Sequence, residues 1–201
     1  MRKLPRSFYL DDTVTVARAL LGCVLWRRLE HGEVLAARIV ETEAYLGAND
    51  MASHARRGLR SERNASMYLE GGHAYVYFTY GMHWCMNVVT QEADIAEAVL
   101  LRGAEPLHGI EAMRERRPKA KKPHELMNGP GKICMALDID RRLDGESLRG
   151  ETLWLTPRDI EVPDIAVSPR IGIDNSGDAA AWPLRFFIPG NRNVSAYRLS
   201  S

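Results

Sequence analysis

Residues 35–47 constrain the fold of this chain more than any other stretch. They are rich in β-branched and apolar residues and end in a glycine, which predicts a strand followed by a turn. Because side chains alternate across a strand, the odd-numbered residues share a face that begins apolar and ends with Glu41, Glu43 and Tyr45. An apolar surface that leads into carboxylates is expected to leave one of them partly desolvated, and such a group has the chemistry of a general base.

A second stretch, residues 75–89, predicts a β-hairpin whose turn lies at residues 80–83. It contains three tyrosines and one tryptophan. Several aromatic rings on one hairpin suit the stacking of flat ligands. We therefore expect this hairpin to meet the acidic strand and to form a pocket for a flat ligand.

The remaining segments indicate an α+β fold. Strand-like segments come in hairpin-like clusters and helices are few, which favours a mainly antiparallel, curved sheet with flanking helices and a protruding β-hairpin over a repeating βαβ array. Further strands are predicted at residues 23–28, 97–102, 153–155 and 184–188. Helices are predicted at residues 13–21, 107–116 and 130–137.

Length and composition predict one globular domain that spans residues 1–201. The chain is 45 % apolar and 26 % charged, which are globular values. No run reaches the roughly 18 apolar residues of a membrane span, and no apolar segment of a signal peptide follows the basic start. The three cysteines form no CxxC pair and are expected to be free thiols. We expect no membrane association and a cytoplasmic location, with nucleoid association if the source is a bacterium.

Charge and motifs limit the candidate ligands. A net charge of +1 means that a nucleic-acid binder must concentrate its cations on one surface, and arginines and lysines cluster at residues 56–63 and 114–122. Pro118 and Pro123 indicate that the second cluster lies in a loop. The HExxH zinc motif fails at residues 124–128 because asparagine replaces its second histidine. No metal and no cofactor is predicted.

Ordered sequence blocks resemble the alkyladenine (3-methyladenine, or N-methylpurine) DNA glycosylase family. The blocks are IVETEAYLG at 39–47, His54, YVYFTYGMHWCMN at 75–87, LLRGAEPL at 100–107, NGPGK at 128–132, RIGI at 170–173 and PLRF at 183–186. They occur in the family order and extend over nearly the whole chain. The resemblance implies a monofunctional DNA glycosylase of base excision repair.

Family membership would imply both a reaction and a DNA partner. The enzyme would approach damaged double-stranded DNA from the minor groove and flip an alkylated or deaminated purine out of the helix. The implied substrates are 3-methyladenine, 7-methylguanine, hypoxanthine and ethenoadenine, whose N-glycosidic bond is hydrolysed without lyase chemistry or a cofactor. A monomer is expected.

The resemblance also implies site residues. Glu43 matches the catalytic carboxylate that activates water, and Arg102 matches an arginine near that water, whereas Glu41 matches no catalytic position and is expected to be structural. The base-binding positions correspond to Tyr45, His54, Tyr77 and Asn87, of which Asn87 would reject guanine by its exocyclic amino group. The DNA-intercalating positions at the hairpin tip correspond to Tyr80 and Met82.

Two other functions remain open from the residues alone. A hydrolase of free nucleosides or small N-glycosides would share the carboxylate and the rings but would need no intercalating tip and no basic surface. A non-catalytic RNA-binding module would use only the aromatic hairpin. Duplex binding weakens steeply with salt whereas turnover of a small substrate does not, and base release from an alkylated duplex would exclude the binding module.

Overall fold

One antiparallel sheet organises the chain in the computed structural model, which describes residues 2–195. Its strands are β1 (Val24–Arg28), β2 (Val34–Tyr45), β3 (Ala74–Thr79), β4 (His83–Thr90), β5 (Glu97–His108), β6 (Leu153–Thr156), β7 (Ala166–Ser168) and β8 (Arg185–Phe187). The α-helices are α1 (Arg6–Tyr9), α2 (Thr13–Ala19), α3 (Ile110–Arg116) and α4 (Pro130–Ala136). Among the described residues, no helix has the length and apolar character that a membrane crossing requires.

β2 is the central strand of this sheet. The order is β3-β4-β5-β2-β1-β6, and β8 pairs with both β2 and β7. β2 therefore hydrogen-bonds to β5 along one side and to β1 and then β8 along the other. The predicted α+β class, with a curved antiparallel sheet and few helices, is confirmed.

The backbone of β2 is irregular around Glu41. The register of β2 against β5 shifts between Ile39 and Glu41 and again between Glu41 and Thr42. β-Bulges of this kind bend a strand and re-aim its side chains, and they are common beside active sites. The irregularity lies immediately before Glu43.

The predicted hairpin forms from β3 and β4. Thr79 pairs with His83, and the Met82 N–H donates to the Thr79 carbonyl at 3.2 Å. Tyr80 and Gly81 at the centre of the turn both have positive φ, +50° and +65°. Two consecutive positive φ values are typical of the type I′ turn, whose twist matches that of the flanking strands.

Helix α2 supports β2 from behind. The Asp12 side chain accepts a hydrogen bond from the Thr15 N–H at 2.9 Å and so caps the N-terminus of the helix. The Thr42 hydroxyl donates to the Ala17 carbonyl at 2.9 Å in a fully buried contact. The predicted helix is confirmed, and it fixes the strand segment that carries the acidic residues.

The predicted helix at residues 107–116 is wrong in its first turn. β5 continues through Pro106 to His108, and α3 begins only at Ile110, after Gly109 with φ +74°. Pro106 lies opposite Ala37 next to a register shift, a place where a strand tolerates the missing N–H. The loop prediction for the second basic cluster is also wrong at its start, because residues 114–116 belong to α3.

Candidate active site

A cleft of about 660 Å³ opens between the end of β2, the β3–β4 hairpin and the segment 171–176. This volume suits a small organic ligand. Polar and aromatic side chains line it, among them Tyr45, His54, Arg56, Tyr75, Tyr77, Tyr80, Asn87, Arg102 and Asp174. Six of the eight residues matched to family site positions therefore line this cleft, and Glu43 bonds to two of them.

Glu43 lies behind the lining residues with no solvent-exposed surface. Its Oε2 accepts hydrogen bonds from the Tyr45 hydroxyl at 3.0 Å and from Arg102 Nη1 at 3.3 Å. Its Oε1 accepts one from the Ile171 N–H at 2.8 Å. Strand β2, strand β5 and the 171–176 segment thus fix both carboxylate oxygens.

The pKa of Glu43 is raised above the ordinary value of a glutamate. Burial is the largest cause, because it disfavours the charged form. Arg102, the Ile171 N–H and the Tyr45 hydroxyl oppose that effect, and the nearby Glu41 adds to it. A carboxylate of this kind has a higher proton affinity than usual, as a general base requires.

Glu41 is held by other groups. Its Oε1 accepts from Arg185 Nε at 2.6 Å and from the Ser195 hydroxyl at 2.8 Å, and its Oε2 accepts from the Ser195 N–H at 2.6 Å. Arg102 Nε lies 3.4 Å from Glu41 Oε1, so one guanidinium contacts both glutamates. The side chain of Glu41 is fully buried and does not line the cleft. These contacts support a structural role.

Four aromatic rings meet in the cleft. The rings of Tyr75 and Tyr77 stack with centroids 5.4 Å apart, and His54 meets the Tyr77 ring edge-on with centroids 4.5 Å apart. Tyr45 lines the same cleft and has the Arg170 guanidinium 4.6 Å from its ring centroid. Tyr45, Tyr77 and His54 are therefore brought together as the resemblance implies.

His54 is neutral at physiological pH. Burial, aided by Arg63 and Arg56, lowers its pKa to about 4. Its Nδ1 lies 2.6 Å from the hydroxyl of the buried Tyr75, which fixes the ring. Within residues 2–195 the other ring nitrogen has no hydrogen-bond partner, so it can exchange a hydrogen bond with a ligand, as donor or acceptor according to the tautomer.

Asn87 is buried on β4 at the cleft wall. Its Nδ2 donates to the Tyr75 carbonyl at 3.1 Å, which holds the amide plane in place. A fixed amide can distinguish the edges of otherwise similar flat rings.

The hairpin tip is the most exposed apolar feature near the cleft. Tyr80 is 79 % exposed and Met82 is 66 % exposed. A tyrosine with φ +50° is unfavourable by about 1–2 kcal/mol, and such strain is frequent at functional sites. Tyr80 lines the mouth of the cleft, whereas Met82 lines a separate recess beside α4.

The two basic clusters lie in different places. In the first, Arg56 lines the cleft, Arg60 pairs with Asp94 at 2.7 Å, and Arg63 donates to the Phe78 carbonyl of the hairpin at 3.1 Å. In the second, Arg116 lines the recess that also contains Met82. The structure does not bring the second cluster into the cleft.

Sequence reasoning missed two parts of the site. The main-chain N–H of Ile171 carries no side-chain signal, although the RIGI block contains it. Asp50 and Arg170 form a buried ion pair next to Tyr45, with Arg170 Nη2 2.8 Å from Asp50 Oδ1. Arg170 belongs to the same block, whereas nothing in the sequence distinguishes Asp50 from a surface carboxylate.

The described residues also contain no cluster of three or more histidine, cysteine, aspartate or glutamate side chains arranged to bind a metal ion.

Comparison with known proteins identifies the family. The family model for methylpurine-DNA glycosylase matches residues 7–192. A protein of Methanocella arvoryzae, provisionally named a 3-methyladenine DNA glycosylase, is 47 % identical over 195 residues, which cover 97 % of this chain and 96 % of that protein. Human DNA-3-methyladenine glycosylase is 42 % identical over 206 residues, which cover 97 % of this chain and 68 % of the human protein. The chain therefore belongs to the methylpurine-DNA glycosylase family, a family of hydrolytic DNA glycosylases.

Proposed function

We propose that this protein removes alkylated or deaminated purines from duplex DNA by hydrolysing the N-glycosidic bond with water activated by Glu43. The substrates would be 3-methyladenine, 7-methylguanine, hypoxanthine and ethenoadenine. The observation that carries this proposal is the position of Glu43, which is fully buried behind a cleft walled by aromatic rings and is fixed by three donors.

A base inside the DNA stack is out of reach of Glu43, so the nucleotide must first be flipped into the cleft. Tyr45 and Tyr77 would then contact the base, and a cationic purine would gain about 0.5–2 kcal/mol from each well-placed ring. The neutral His54 would exchange a hydrogen bond with the base edge, and the fixed amide of Asn87 would exclude guanine.

Cleavage proceeds through a transition state with positive charge on the sugar. The Glu43 carboxylate would stabilise this charge and accept a proton from the attacking water. Among the described residues, Oε1 accepts a hydrogen bond only from the Ile171 N–H, which leaves a lone pair for that water. Arg102 would keep the carboxylate ionised until the proton is transferred.

The hairpin tip would enter the minor groove while the base is extruded. Unstacking a base step costs a few kcal/mol, and a side chain that fills the gap offsets part of this cost. Tyr80 and Met82 are exposed at the tip and suit this role. In the described chain no lysine lines the cleft, which supports hydrolysis without Schiff-base chemistry.

The proposal is tested with a panel of duplexes that each carry one lesion at a defined position, with alkaline cleavage of abasic sites as the readout. We expect strand cleavage at one or more of the four damaged purines and none in the matched intact duplex. Release that weakens steeply between low and high salt would support a duplex substrate. No base release from any lesion would refute the proposal, and turnover of free nucleosides that is insensitive to salt would favour a nucleoside hydrolase instead.

A further inference from the structure

The ion pair between Asp50 and Arg170 is the most completely buried charge pair beside the cleft. Asp50 has no exposed surface and Arg170 is 3 % exposed, yet neither lines the cleft. Buried ion pairs add little net stability, because desolvation of both charges offsets their attraction. The position of the pair, rather than its energy, therefore requires an explanation.

The pair joins three segments that form the cleft. The Asp50 carboxylate accepts from the N–H groups of Leu46 at 3.1 Å and Ala52 at 2.9 Å. Arg170 donates to the carbonyls of Ala44 at 2.9 Å and Ala179 at 3.2 Å. The end of β2, the wall that begins at Met51 and the wall at 171–176 are thereby tied to one another.

Two groups that contact Glu43 depend on this arrangement. The Arg170 guanidinium lies 4.6 Å from the ring centroid of Tyr45, whose hydroxyl donates to Glu43. Ile171 follows Arg170 directly in the chain, and its N–H is the donor to Glu43 Oε1. A shift of Arg170 would move both donors together.

We infer that Asp50 and Arg170 are positioning residues for the reaction. They hold the Tyr45 hydroxyl and the Ile171 N–H at hydrogen-bond distance from the Glu43 carboxylate. Neither residue lines the cleft, so neither would contact a base or a water bound there. Because the ion pair carries no net charge, it would support the Tyr45 ring without repelling a cationic purine bound on the opposite face of the ring. This inference rests on the function proposed above.

The test compares Arg170→Lys with wild type in single-turnover excision of hypoxanthine as a function of pH. Lysine keeps the charge but loses the bidentate bond and the flat contact with Tyr45. We expect a rate reduction of roughly 10- to 100-fold, as for small misplacements of catalytic groups. We also expect the acidic limb of the pH–rate profile to move to higher pH, because Glu43 loses donors that stabilise its charged form.

Arg27→Lys is the matched control. Arg27 is also 3 % exposed and lies 4.0 Å from an aspartate, Asp138, but it is on β1 and outside the cleft. This variant is expected to lower the melting temperature without moving the acidic limb. If Arg170→Lys does not fold, the double variant Asp50→Asn with Arg170→Gln removes both buried charges and carries the same expectation.

The possible failures are distinguishable. A wild-type protein that releases no damaged base refutes the proposed function and this inference with it. An active wild type, together with a folded Arg170→Lys variant whose rate and acidic limb match it, overturns the inference alone. Loss of folding in both the single and the double variant would show that the pair serves stability and would also overturn the inference.

Discussion

Replacement of Arg102 by glutamine should move the acidic limb of the pH–rate profile upward. The Arg102 guanidinium is the only cation in hydrogen-bond contact with Glu43 among the described residues, at 3.3 Å from Oε2. Glutamine retains a hydrogen-bond donor but removes the positive charge. The proton affinity of Glu43 should therefore rise, and the enzyme should need a higher pH to reach the same rate.

The size of the change follows from the geometry. Two unit charges about 4 Å apart attract by about 4 kcal/mol at an effective dielectric constant near 20, which corresponds to about 3 pKa units as an upper bound. An adjacent arginine typically lowers the pKa of a carboxyl group by about 1–3 units. We therefore expect the acidic limb to move upward by about 1–3 pH units. At pH values below the limb, each unit of this shift should lower the rate roughly tenfold.

The assay is single-turnover excision of hypoxanthine from one duplex, measured across pH under conditions in which the variant is folded. Arg38→Gln is a suitable control. Arg38 lies on β2, as Glu43 does, but its ion-pair partners are Glu105 and Asp159. That variant should leave the acidic limb in place. A folded, DNA-binding Arg102→Gln variant with the wild-type limb would refute the electrostatic account of Glu43.

Three further predictions concern the cleft and the hairpin tip. Tyr80→Ser should weaken binding to a duplex with an abasic site roughly tenfold more than binding to intact duplex, as judged by fluorescence anisotropy; equal losses would count against intercalation. Asn87→Ser should increase the release of undamaged guanine from duplex DNA, and an unchanged preference would argue against purine screening. Because the pKa of His54 is about 4 in the fold and near 6.5 when unfolded, the unfolded chain binds more protons between these values, and stability is lost as pH falls through that range. Urea titrations should show His54→Gln losing about 1–2 kcal/mol less than wild type between pH 7 and pH 5; parallel losses would contradict the assigned environment.

Local chemistry made much of the fold predictable. The alternating residues of β2 and the aromatic β3–β4 hairpin have strand periodicity, and Gly81 permits the positive φ of the turn. The first turn of the predicted helix at 107–116 was wrong because a proline is acceptable in a strand at a register shift. Only the pairing of β5 with β2 decides whether residues 107–108 form a strand or the first turn of a helix.

Long-range contacts explain what the sequence could not predict. The contact between Glu43 and the Ile171 N–H joins residues 128 positions apart, and the pair of Asp50 and Arg170 joins residues 120 positions apart. Every residue except proline has a main-chain N–H, so the sequence does not show which one contacts Glu43. A lone aspartate in a loop likewise resembles any solvated carboxylate. Family resemblance supplied the candidate side chains, most of which line one cleft, whereas the contacts that support them emerged only from the folded chain.

The most direct test of the account is Glu43→Gln in single-turnover excision of a damaged purine, with duplex binding measured on the same sample. Glutamine preserves the shape of the side chain but cannot accept a proton from water. Glu105→Gln serves as the control, because Glu105 lies on β5 and outside the cleft. We predict that Glu43→Gln loses about 10²–10⁴-fold in rate while it still binds the lesion duplex. A folded Glu43→Gln variant that releases the base within about tenfold of the wild-type rate would contradict the central role of Glu43.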